Sequence, residues 1–275
     1  ESQEAVVIGV VSFVLFIATC AVAARVYTRL ILIKQFGIDD IFAILSLILV
    51  IATGATIVYM TNYGLGRHVD FSVTLDDSET GFPTLYLRNF YVSVVLYCAS
   101  LFFIKQCFMF QYFRIFGVQK MRLVFIIAMF IVGAWSLSQV FVGIFMCLPI
   151  KAFWIKTSEV QANARCINTD LQFPLNAAGN IITDVIVYFL PIPVLKGLNL
   201  GKKQKLLLIG IFSLGFFTVA LSILRIKYLD IPDDLTWTNT ESSLWSIAEL
   251  SSGITCACLA TLRPLVSKVI PGLTS

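Results

Sequence analysis

Long apolar runs alternate with short polar connections along the whole chain. The runs fall at 5–30, 40–63, 85–116, 122–149, 171–195, 204–228 and 243–265. A helix crosses a bilayer with about 20 mostly apolar residues at 1.5 Å rise each, so each run is long enough to span. Seven spans using nearly all of the chain predict one all-α domain, 1–275, folded as a seven-helix membrane bundle. Polar stretches at 64–84 and 150–170 read as its two longest loops, and Pro191 and Pro193 are expected to end or kink the fifth helix. Asp39 and Asp40 stand at the start of the second run, where acidic residues suit the helix dipole.

The fifth run departs from the pattern. Asn176, Asn180 and Asp184 recur at every fourth position, so a helix gathers them into one narrow polar stripe. A carboxylate near mid-bilayer costs roughly 2.5–3.5 kcal/mol. Asp184 is therefore expected to face other helices or a wet cavity. The stripe either joins helices or lines a ligand pocket or switch.

Composition sharpens the class. Hydrophobic residues make up 58% of the 275 residues and charged residues 13%, with a mean hydropathy of +0.89. A soluble domain carries about 25% charged residues. The net charge of +4 is no nucleic-acid signature, because Lys and Arg sit in short loops beside the apolar runs. Arg25, Arg29, Lys34, Arg114, Lys120, Arg122, Lys196, Lys202, Lys203, Lys205, Arg263 and Lys268 fall on one side. Arg67, Arg88, Lys151, Lys156, Arg165, Arg225 and Lys227 fall on the other. That asymmetry predicts an outer N-terminus and a cytosolic C-terminus. Cys147 and Cys166 flank the second long loop, on the outer side, where oxidation is permitted. They are the disulfide candidates.

Several short motifs then occur in order. They are Arg25-Val-Tyr-Thr-Arg29 with Phe36-Gly-Ile-Asp-Asp40, Ile104-Lys105, Tyr112-Phe-Arg-Ile-Phe116, Asn180 with Thr183-Asp184, and Leu190-Pro-Ile-Pro-Val194. Gly210-Ile-Phe-Ser-Leu-Gly215 and Ser222-Ile-Leu-Arg225 follow. Taken together the sequence resembles the fungal rhodopsin-domain family, seven-helix integral membrane proteins of filamentous fungi, with Ile38 where relatives usually have Trp. The resemblance implies a receptor-like membrane protein; some members look like G-protein-coupled receptors. It does not imply retinal, because a Schiff-base lysine would be needed in the last helix and 243–265 has none.

The candidate residues form groups. Lys105 is expected to pair with Asp184, as a neutral stitch between helices 3 and 5 or as a switch; the alternatives are a protonated Asp184 or a cation held by Asp184 with Asn180. Arg225 and Glu249 are expected toward the outer half, at the mouth of a pocket with Asn176 and Asn180 on its lining. Arg25, Arg29, Asp39 and Asp40 are expected to form a cytosolic ion-pair cluster. Arg114, Lys202, Lys203 and Lys205 are expected on a cytosolic face that meets a partner or anionic lipid. No metal site is expected: His68 is the one histidine, and Cys256 and Cys258 lack further ligands.

Three functions follow for comparison. A receptor-like sensor would take an extracellular ligand between the helices and signal at cytosolic loops, a G protein being one reader, from the plasma membrane. A transporter would use the Asp184 core. A zinc hydrolase needs several histidine ligands, so the chain is expected not to be an enzyme and to need no cofactor.

Overall fold

A computed structural model of the chain describes residues 2–68, 82–116, 122–155, 160, 163–192, 215–224, 235–259 and 261. Seven helices of ten or more residues lie among them. They are α1 (Glu4–Tyr27), α2 (Ile38–Thr61), α3 (Phe82–Phe116), α4 (Arg122–Ile144), α5 (Thr169–Phe189), α6 (Gly215–Leu224) and α7 (Leu235–Leu259). A two-stranded antiparallel pair, β1 (Cys147–Leu148) and β2 (Arg165–Cys166), is the exception to all-helical structure among these residues.

Four of the helices, α1 to α4, are long and apolar enough to cross a membrane by length and composition. The sequence pattern expects seven. The difference lies in what α5 and α7 bury. Their inner faces carry Asn180, Thr183 and Asp184, and Thr236, Thr240, Glu249 and Ser251. A helix that spends its inward face on polar groups loses mean hydropathy without losing an apolar outer face. In α6, ten residues are described.

The chain pattern also inverts that of a soluble protein. On α4 the buried positions are Phe125, Ala128, Val132, Ser136, Gln139 and Gly143, at helical spacing. The exposed positions include Leu123, Ile127, Phe130, Ile131 and Phe141. Large apolar side chains cover the outer face, and the polar Ser136 and Gln139 turn inward beside Phe125 and Val132, as a lipid solvent requires.

α3 is the central element. Its 35 residues rise about 52 Å, and it packs against α2, α4, α5 and α7, while α1 lies against α2 and α7. The core follows these contacts, with Tyr97, Leu101, Ile104, Phe108 and Tyr112 of α3 buried among Val187, Tyr188, Ile247, Leu250 and Ile254.

Several boundaries differ from the pattern. α1 continues past Tyr27 as one wide turn, Thr28–Leu32, in which the Ile33 N–H donates to Thr28 O at 2.9 Å. Such π-turns often mark functional positions. α2 begins at Ile38 with Gly37 as its cap. Asp39 and Asp40 sit inside the first turn, and the Gly37 N–H donates to Asp40 Oδ2 at 2.9 Å. A Cβ on Gly37 would stand 2.6 Å from Arg114 Nη1 and from Asp39 Oδ1, so a larger residue would displace the ends of those two side chains. α4 ends at Ile144 because the strand pair takes over at Cys147, and α5 ends at Phe189, before Pro191. α7 starts eight residues ahead of the expected Ser243 and ends at Leu259.

The two ends of the bundle are tied differently. At one end the Gln3 N–H donates to Gly66 O, the Gly66 N–H to Thr236 O, and Asn239 to the Tyr86 hydroxyl, while His68 stacks on Trp237. The Cys147–Cys166 disulfide pins the strand pair at this same end. At the other end, α1, α2, α3 and α7 converge on a group of arginines and aspartates.

Candidate functional site

Two buried polar clusters lie along α3. The first sits halfway along α5. Lys105 Nζ is 3.0 Å from Asp184 Oδ1, and it donates to Asn180 O at 3.1 Å, Asn180 Oδ1 at 2.5 Å and Thr183 Oγ1 at 2.5 Å. An ammonium has three protons, and here every one has an acceptor. Asn180 is the hub. Its Oδ1 accepts from the lysine, and its Nδ2 donates to Glu249 Oε1 at 2.7 Å and to Asp184 Oδ2 at 3.4 Å. Ser222 Oγ of α6 stands 2.5 Å from Glu249 Oε1 and 3.2 Å from Asp184 Oδ2, and having one proton it donates to one of them at a time. Tyr97 donates its hydroxyl to Glu249 Oε2 at 2.8 Å. Lys105, Asn180, Asp184 and Glu249 are all buried.

Local structure explains the convergence. Asn180, Thr183 and Asp184 are one turn of α5, so their side chains leave one face. α5 approaches α4 closely because residue 179 is glycine; a Cβ there would lie 1.9 Å from the Trp135 ring. Two small cavities flank the lysine. One, of about 20 Å³, is lined by Lys105, Asp184, Glu249, Thr218, Tyr188 and apolar neighbours. The other, of about 10 Å³, is lined by Lys105, Asn176, Asn180, Ser136, Gln139, Trp135, Cys98 and Leu101. Each is near the size that admits a single water. Ser136 Oγ is buried without a partner, and Gln139 accepts from Gln172 at 3.2 Å.

The second cluster joins the ends of α1 and α3 to the start of α2. Arg25 is wholly buried. Its Nη2 donates to Asp39 Oδ2 at 2.6 Å, its Nε to Asp40 Oδ1 at 2.8 Å, and its Nη1 to Gln111 Oε1 at 3.1 Å and Ala257 O at 3.0 Å. Arg114 Nη1 donates to Asp39 Oδ1 at 3.0 Å and its Nη2 to Gln35 O at 2.9 Å. Arg29 makes one long bond to Asp39, 3.4 Å through Nη2. Cys107 donates its thiol to Asp39 O at 3.3 Å.

These positions match the sequence expectations unevenly. Lys105, Asn180 and Asp184 come together, as do Arg25, Arg29, Asp39 and Asp40. Asn176 lies on the same stripe but donates to Cys98 Sγ at 3.8 Å and borders the cavity rather than the acid. Glu249 is not at a pocket mouth: it is a central member of the lysine cluster, because α7 begins earlier than the apolar run and its acid meets Asn180. Arg114 joins the arginine–aspartate cluster and keeps 30% of its side chain exposed. Arg225, Lys202, Lys203 and Lys205 lie outside the described residues. Cys147 and Cys166 are joined. Among the described residues no group of three or more His, Cys, Asp or Glu could hold a metal ion. Tyr97 and Gln111 stand in no motif or group that the sequence singles out, and no periodicity marks them; Thr183 and Ser222 belong to the short sequence motifs but are not among the expected site residues.

The fungal rhodopsin domain matches residues 24–268, a range that contains both clusters. The chain belongs to that family. It is 28% identical over 264 residues to the polyenoic acids biosynthesis gene cluster protein Ba17b of Metarhizium anisopliae, covering 90% of this chain and 70% of that protein. It is 26% identical to the satratoxin biosynthesis SC1 cluster protein 4 of Stachybotrys chartarum, covering 63% of each. It is also 26% identical to a SAT4 family membrane protein of Emericella nidulans, covering 62% of this chain and 43% of that protein. The chain thus spans less than two thirds of the last two relatives. No solved structure matches it. Membership and the apolar helices make this a multi-pass membrane protein.

Proposed function

We propose that the chain is a receptor-like membrane sensor with seven crossings, an outer N-terminus and a cytosolic C-terminus, placed in the plasma membrane. A ligand enters between the helices from outside, and the outcome is read at the cytosolic loops, a G protein being the first reader to test. The observation that carries this reading is the lysine–asparagine–acid cluster. Four helices, α3, α5, α6 and α7, are fastened by hydrogen bonds to one asparagine and two carboxylates. The cavity beside Asp184 and Glu249 has room for one water-sized group. Any larger ligand must displace some of these bonds, so occupancy and helix position are coupled.

The relatives supply a ligand class. Two carry the names of biosynthetic-cluster proteins, for polyenoic acids and for satratoxin. We infer a small secondary metabolite as the ligand, and neither an enzymatic reaction nor a bound retinal. The test is a nucleotide-exchange assay in which full-length protein in nanodiscs meets purified fungal G protein, with a polyenoic acid and a satratoxin as probes. Ligand-dependent exchange supports the sensor. Its absence, together with metabolite flux into liposomes that Asp184→Asn abolishes, would replace it with a transporter.

A further inference from the structure

The arginine–aspartate cluster has a charge left over. Three guanidinium groups, from Arg25, Arg29 and Arg114, face two carboxylates, from Asp39 and Asp40. The excess is not shared evenly. Arg25 spends its donors on four acceptors, and Arg114 makes two short bonds. Arg29 is the poorly served member. Its one bond is 3.4 Å, its Nε stands 3.7 Å from Asp40 and has no hydrogen-bond partner, and the residue is 8% exposed. A buried guanidinium with an unused donor, held only at long range by carboxylates that two other arginines share, costs free energy unless an anion completes it.

The surroundings say which kind of anion. Arg114 and Arg29 are the two cluster arginines with side-chain surface left, 30% and 10%. The turn between α1 and α2 beside them carries Leu30, Ile31, Phe36 and Ile38, all exposed. A soluble anion would gain nothing from those four side chains. An amphiphile with a negative head and acyl tails satisfies both halves, and guanidinium pairs match phosphate oxygens well. Basic pockets at the ends of membrane helices recognise lipid headgroups on the same principle.

We propose that Arg29 and Arg114 bind the phosphate-bearing headgroup of an anionic membrane lipid, whose tails lie along the exposed apolar side chains of the α1–α2 turn. The inference is independent of the sensor reading, since it requires no ligand in the central cluster and no G protein.

Native mass spectrometry of the full chain, titrated with phosphatidylinositol or phosphatidylcholine, tests it. Phosphatidylinositol binds about fivefold or more tighter, and each of Arg29→Gln and Arg114→Gln weakens it about fivefold, the effect of one basic group at a charged interface. Lys151→Gln, on the loop at the opposite end, leaves the preference unchanged. A second measurement needs no variant: phosphatidylinositol raises the melting temperature of the wild-type chain and phosphatidylcholine does not. Equal affinity for the two lipids overturns the proposal, as does a preference that survives both arginine substitutions. Inorganic phosphate giving the same protection at equal concentration overturns the lipid assignment.

Discussion

Replacing Lys105 by methionine keeps most of the side-chain length and removes the ammonium. The wild-type nitrogen lies 3.0 Å from Asp184 Oδ1 and bonds to Asn180 and Thr183. Thr183 keeps acceptors in Gly179 O and Asn180 O. Asn180 keeps its bond to Glu249. Asp184 is the group that suffers: it loses its cation in a buried site and is left with Asn180 at 3.4 Å and Ser222 at 3.2 Å. Breaking a buried pair from one side costs about 3–5 kcal/mol. At about 2–4 °C per kcal/mol for a chain of this order, the melting temperature falls by about 6–20 °C. Adding Asp184→Asn removes the stranded charge while keeping side-chain size and hydrogen-bonding capacity. The double variant is expected to recover at least half of that loss, whereas Asp184→Asn alone strands Lys105 and is itself destabilised. Thermal unfolding of all four proteins in one detergent, followed by intrinsic fluorescence, closes the cycle. A Lys105→Met protein within about 2 °C of wild type, or a double variant no better than the worse single one, would refute the claim that the charges stabilise each other.

Three other outcomes are expected. Arg25→Met leaves Asp39 and Asp40 buried with weaker partners and costs about 3–5 kcal/mol, read as loss of monodisperse protein on size exclusion or as a lowered melting temperature. Gly179→Ala puts a methyl where the Trp135 ring lies, 1.9 Å from its Cζ2; it destabilises by about 1–3 kcal/mol, and Trp135→Leu in the same chain restores part of it in the same melt. Cys147→Ser opens a link between residues 19 apart and costs about 3 kcal/mol by chain entropy. A matching drop on reducing the wild type checks that the effect is the disulfide and not the serine.

The sequence by itself settled the solvent. Apolar runs of bilayer length, few charges and a polar stripe at every fourth position on 171–195 can be read without coordinates, because membrane burial imposes a length and helix geometry imposes a period. The same logic put Lys105 with Asp184 and Arg25 with the two aspartates, since buried charges of opposite sign at matching depth have few alternatives. What the tertiary structure alone decided was which helices meet. Glu249 belongs beside Asn180, Arg114 belongs to the aspartates, and Tyr97 and Ser222 supply hydroxyls, because α3 runs through the middle of the bundle against α5 and α7, and α6 sets Ser222 between the acids of those two helices. Contacts between residues 75 or 152 positions apart leave no period in the chain. They arise from packing angles and from the room that a glycine such as Gly179 makes for a neighbouring ring, and neither is written in the spacing of apolar residues.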